Sequence, residues 1–153
     1  MWVGLQIPSE ATWPGFFGVL IIHRPHEEHK ASPIAYLERW HLHNELFGDD
    51  VRFLGVLRTD HGFRLLIRQS AIAGKPATDE EIARFFTDSG WKRFIVGGNV
   101  AYYDPQRKIV ISDTHRGNII LMDDGLLAPI DLRVQSLSGA LHDSVIKLAL
   151  GSR

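Results

Sequence analysis

The chain of 153 residues contains no cysteine. Disulfides, thiolate nucleophiles and zinc sites built on sulfur are excluded, and a reducing compartment is compatible with the chain. An excess of charge of one sign is also missing. The 17 Lys and Arg nearly cancel the 18 Asp and Glu, so no global field draws the chain to nucleic acid or to an anionic membrane. Long hydrophobic runs are absent as well. FFGVLII at 16–22 is far shorter than the ~20 residues that cross a bilayer, and no basic segment precedes it as a secretory signal requires. No repeat and no low-complexity tract is visible. The remaining composition, 44% hydrophobic and 23% charged, is that of a globular domain able to bury a core without staples. These absences lead to the expectation of a soluble, cytoplasmic protein with neither nucleic acid nor membrane as partner.

What is present begins irregularly. Pro8, Pro14 and Pro25 punctuate the first 31 residues, with Gly4, Gly15 and Gly18 between them and one strand expected at 17–22. Ser32 can cap and Pro33 suits the first position of a helix running to Phe47, where Gly48 closes it. On that helix Ile34, Leu37, His41 and Glu45 share one face; Tyr36, Trp40, His43 and Phe47 share an adjoining one. VRFLGVLRT and GFRLLIRQS read as a hairpin over 51–69. Thr78, with Glu81 three residues on, forms a capping box for a short helix. From Asn99 onward VAYYD, IVIS, NIILM and LLAPID read as strands, with PQRK and DDG as turns. A helical tail follows, marked by Leu137, Leu141, Val145 and Leu148. This order predicts an α+β chain rather than a doubly wound sheet, divided into a first part, 1–69, and a second, 70–153.

The chemistry concentrates in DTHRGNIILMDDGLLAPID, residues 113–131. An acid directly after Ile130, at the end of an apolar strand, is costly unless a positive or hydrogen-bonding group meets it. Asp113 and Asn118 have four residues between them, the spacing of the protein-kinase catalytic loop. Phosphoryl transfer needs a carboxylate near the attacking hydroxyl and hard oxygen ligands for Mg²⁺. A strand, the DDG turn and a second strand return Asp131 beside Asn118. The plainer reading of the same residues is an Asx-rich turn, with Asp131 paired to Arg133 or Arg116.

The stretch resembles the protein-kinase-like superfamily in its small-molecule-kinase form, where a D-x-H-x-x-N loop is followed by a hairpin and a metal-binding Asp. SPIAYLERWHLHNELFGDDVRFLGVL and RQSAIAGKPATDEEI resemble the kinase domains of the polyvalent proteins of phages and mobile elements. The resemblance covers roughly 31–135. It implies a protein-kinase-like fold with an incomplete small N-lobe and a reduced C-lobe. It also implies Asp113 as the catalytic carboxylate, His115 as a brace of the loop, and Asn118 and Asp131 as Mg²⁺ ligands. Glu38, with Glu45 as the competing choice, would be the acid that pairs with a phosphate-binding lysine. Gln69 and Ser70 would be the hinge against which adenine lies.

Two parts of the family pattern are missing. GFFG at 15–18 is not a G-x-G-x-x-G loop, and Lys30, in a His- and Glu-rich loop, is the only lysine before the helix. MWVGLQIPS looks like the family's lysine-bearing strand without its lysine, and Ile111 stands where small-molecule kinases often carry His. The chain reads as a kinase domain that begins late. The implied function is an ATP- and Mg²⁺-dependent phosphotransferase acting on a hydroxyl of a protein or small molecule, weak or inactive. The alternative is a non-catalytic, pseudokinase-like module that binds a nucleotide or a protein partner. An incomplete small lobe would leave apolar surface that a second copy could cover. His23, His26 and His29 in HRPHEEH miss the spacing of a helical zinc motif and read as a solvated loop.

Overall fold

A computed structural model describes residues 3–5, 18–23, 33–60 and 62–151. The expected cap Ser32, the loop histidines His26 and His29, and Lys30 lie outside the described residues. The described residues form three antiparallel sheets and three α-helices, so the α+β class read from the sequence is the one observed. None of these helices is long and apolar enough to cross a membrane. The chain divides into two compact units, Met1–Ala71 and Ile72–Arg153.

The first unit holds β1 (Val3–Leu5), β2 (Gly18–His23), α1 (Pro33–Phe47), β3 (Arg52–Thr59) and β4 (Gly62–Ser70), in the sheet order β1-β2-β4-β3. Of the two stripes on α1, the one with Tyr36, Trp40 and His43 is buried, while Ile34 stays exposed. Tyr36 and Trp40 join Val51 and Ile67 in a core cluster. Burying one such large side chain stabilises by about 2–3 kcal/mol. Gly48 ends α1 with φ 66°, a conformation that glycine adopts at no steric cost. Asn44 then fixes the exit: its Nδ2 donates to the Val51 carbonyl at 2.8 Å and its Oδ1 accepts the Val51 N–H at 3.0 Å. The β3–β4 register shifts between Phe53 and Gly55, a bulge that lets β3 bend.

The second unit contains β5 (Lys75–Pro76), α2 (Asp79–Asp88), β6 (Lys92–Val96), β7 (Asn99–Asp104), β8 (Ile109–Ser112), β9 (Ile119–Leu121), β10 (Leu127–Pro129), β11 (Arg133–Ser136) and α3 (Gly139–Leu150). The capping box starts α2: the Thr78 Oγ1 accepts the Glu81 N–H at 3.2 Å, and Glu81 Oε2 accepts the Thr78 N–H at 2.7 Å. Phe86 of α2 is fully buried and stacks on Tyr102 of β7 with ring centroids 4.3 Å apart. Phe94, Ala101, Tyr103, Leu137 and Val145 form a second core cluster beneath α3. These strands make two sheets, ordered β11-β8-β7-β6 and β10-β9-β5. The sequence pattern missed β5, β6 and β11. Each is short, and β6 and β11 bury a single inward residue, Phe94 and Val134, too little for a visible alternation.

Candidate functional site

At the end of β8 the backbone turns sharply. Asp113 has φ 65°, a left-handed conformation that costs most L residues about 1 kcal/mol and that Asp tolerates better than most. The Thr114 hydroxyl donates to the Val100 carbonyl at 3.2 Å, fastening the turn to β7. His115 caps a single 3₁₀ turn, Arg116–Asn118, by accepting the Gly117 N–H on Nδ1 at 3.1 Å. With Nδ1 accepting, the neutral ring carries its proton on Nε2, which lies 3.5 Å from Asp113 Oδ1. A Cβ on Gly117 would come within 3.1 Å of that same ring, a tight contact that the imidazole would have to yield to by a few tenths of an ångström.

Asn118 joins this turn to the hairpin after it. It is buried, and its Nδ2 donates to the carbonyls of both Asp113 and Asp131, each at 3.0 Å. Its N–H donates to the His115 carbonyl at 2.9 Å, and its carbonyl accepts the Ile130 N–H at 2.9 Å. The hairpin register sets this up: Ile119 pairs with Pro129 and Leu121 with Leu127, so the residues flanking the open end come together. The two acids that end the 113–131 stretch are thereby held on either side of one amide. The nitrogen of that amide is committed, which leaves Oδ1 as its acceptor. Asp131 is half-buried.

Cations border the turn in different ways. Arg116 Nε donates to the Ala77 carbonyl at 3.1 Å. Arg133 Nε lies 3.9 Å from Asp113 Oδ2, so this arginine adjoins Asp113. At the opposite end of β8, away from the turn, Arg107 is tied to Asp104 at 2.6 Å. Burial works against ionising Asp104, but the Arg107 guanidinium and the N–H groups of Arg107 and Gln106 outweigh it and lower its pKa. Gly74, also unanticipated, lets the segment before β5 pass against β9. A Cβ there would land on the Leu121 carbonyl oxygen, at a φ of 155°.

Among the described residues no group of three or more His, Cys, Asp or Glu could hold a metal ion. The turn offers instead a small set of hard oxygens on Asp113, Asn118 and Asp131. That set suits Mg²⁺, which commonly takes one or two carboxylates and fills its octahedron with phosphate oxygens and water.

The residues assigned to the nucleotide side belong to the first unit. Glu38 is exposed on α1, and Glu45 lies 3.4 Å from His41 on the same helix. Gln69 is buried and its Nε2 donates to Asp49 Oδ2 at 2.6 Å; His43 Nδ1 approaches the same oxygen at 3.1 Å, too poorly aligned for a hydrogen bond. Ser70 donates its N–H (2.8 Å) and its hydroxyl (2.6 Å) to Asp50. Those two bonds, with Arg68 beside them, hold the Asp50 carboxyl below the usual range.

Against known proteins, the family model described as a serine/threonine/tyrosine kinase found in polyvalent proteins matches residues 20–136, more than half of the chain. No curated protein and no solved structure matches it.

Proposed function

The chain belongs to the family of serine/threonine/tyrosine kinases found in polyvalent proteins, and from that premise we propose that it is a protein-kinase-like phosphotransferase that moves the terminal phosphoryl group of ATP to a hydroxyl. The observation that carries the reading is the Asn118 amide bonded to the carbonyls of Asp113 and Asp131, in the order and spacing a kinase loop requires. Transfer breaks the bond between the terminal phosphorus and the bridging oxygen of ATP and makes one to the acceptor oxygen; the acceptor's proton leaves and ADP departs. Asp113 is the carboxylate that orients the hydroxyl and takes its proton. His115, capping the turn beside it, keeps that carboxylate in place.

Asn118 Oδ1 and Asp131 would hold Mg²⁺, which when bound neutralises charge on the phosphates. Glu38, Gln69 and Ser70 are the residues of the first unit that this reading assigns to the nucleotide, with Gln69 and Ser70 as the hinge. A second reading, a module that binds nucleotide without turnover, is favoured by the strands ahead of α1. β1 reads VGL and β2 reads GVLIIH, with no lysine to grip phosphate.

The test is a calorimetric titration of the full chain with ATP, with and without Mg²⁺, on the wild type and Asp131→Asn. The wild type should bind only with Mg²⁺, and the variant should lose that binding while melting at an unchanged temperature. A variant that binds as the wild type does would remove Asp131 from the metal site.

A further inference from the structure

We propose that Arg133 binds the terminal phosphate of the nucleotide, as the cation beside Asp113; this rests on the phosphotransferase reading. The backbone sets its position. Arg133 opens β11 directly opposite Ser112, the last residue of β8, and the pair beside it, Val134 and Ile111, is buried. Alternation along a strand therefore turns Arg133 to the outer face, next to Asp113. A residue on a paired strand is held more firmly than one on a loop.

The contact geometry fits two tasks at once. Nε meets Asp113 Oδ2 at 3.9 Å, the long end of an ion pair, and the side chain is 59% exposed. A guanidinium with one edge toward a carboxylate keeps its two terminal nitrogens for another anion, and their fork matches two phosphate oxygens. Arg116, the arginine within the turn itself, is drawn instead to the Ala77 carbonyl.

Charge explains why such a group is needed here. Asp113 is an acid that must sit close to a polyphosphate, and like charges repel most where water is displaced. His115 stands against one of its oxygens and Arg133 against the other, so the positive end of Arg133 lies where a phosphate approaching Asp113 would arrive. Arg133 thus lowers the repulsion and grips the group to be transferred. AMP, which lacks the outer phosphates, gains nothing from it.

The experiment is calorimetry on the full chain with Mg²⁺, titrating ATP and AMP separately into wild type, Arg133→Gln, Arg133→Lys and, as a control for lost surface charge, Arg84→Gln on α2. Arg133→Gln should weaken ATP binding about tenfold or more, Arg133→Lys should fall between it and the wild type, and Arg84→Gln should match the wild type. AMP should bind all four alike. Equal ATP affinity in wild type and Arg133→Gln overturns this role and leaves the kinase reading standing. An equal loss for ATP and AMP also overturns it, since the arginine would then be structural. A wild type that takes up no nucleotide overturns both readings together.

Discussion

Asn118 and Gln69 are both buried amides, and the chain uses them in opposite ways. Asn118 gives its nitrogen to two main-chain carbonyls, so the hydrogen-bonding needs of a tight turn are met by a neutral group. Asp113 is thereby spared structural duty, and a third of its side chain stays open. Gln69 gives its nitrogen to a carboxylate, Asp49, and its neighbour Ser70 gives two donors to Asp50. There the acids are spent on closing the sheet against the end of α1. An acid held by backbone and amide can serve a ligand. An acid that is itself the fastening can do so only by giving up the fastening.

The largest test of this contrast is Gly74→Ala. The added Cβ would meet the Leu121 carbonyl and the Ile120 side chain, at a φ that strains any L residue, and nothing flexible lies there to give way in the backbone. Overpacking and strain together should cost on the order of 3 kcal/mol. Hydrogen exchange should show faster exchange at the β9 and β10 amides. Unchanged exchange there would mean that the strand absorbs the added Cβ without strain, and glycine at 74 would not be required.

Asn118→Ala comes next. It leaves two carbonyls without their shared donor and should cost about 2 kcal/mol by denaturant unfolding. It should also release Asp113 from its left-handed backbone, read as a shift of the Asp113 and Thr114 amide resonances. If stability falls and those resonances stay put, the turn is held by the Thr114 and His115 contacts, and Asn118 is not its keystone.

How much of this was legible in the sequence depends on separation along the chain. The turn, the hairpin and the meeting of Asn118 with Asp131 all lie within residues 113–131, with the DDG turn between the two paired strands. Helix α1 and the capping box of α2 are likewise local, fixed by Pro33, Gly48, Thr78 and Glu81. What escaped is what depends on partners far along the chain. Arg133 reaches Asp113 only because β11 pairs with β8, and a four-residue strand with one inward valine gives no period to read. The need for glycine at 74 comes from β9, which nothing near Gly74 announces. The bond between Gln69 and Asp49 spans 20 residues, and neither residue type predicts the other.

The smallest effect belongs to Asp50. Its folded pKa lies below the ordinary value because Ser70 donates two hydrogen bonds to it, with Arg68 and Arg52 adding attraction. A lowered folded pKa means that the contribution is complete above the unfolded carboxylate range, near pH 4, and is lost as pH falls through the lower folded value. The Asp50 side chain is 37% exposed, so solvent screening should hold the contribution to about 0.5 kcal/mol. The denaturation midpoint of the wild type should therefore fall slightly more between pH 5 and about pH 3 than that of Asp50→Asn, which cannot titrate there. Identical slopes would show that Asp50 is not a charged fastening. A much larger difference would make it a principal tie of the first unit, and the acids there would be committed to the fold even more fully than the bonds to Ser70 imply.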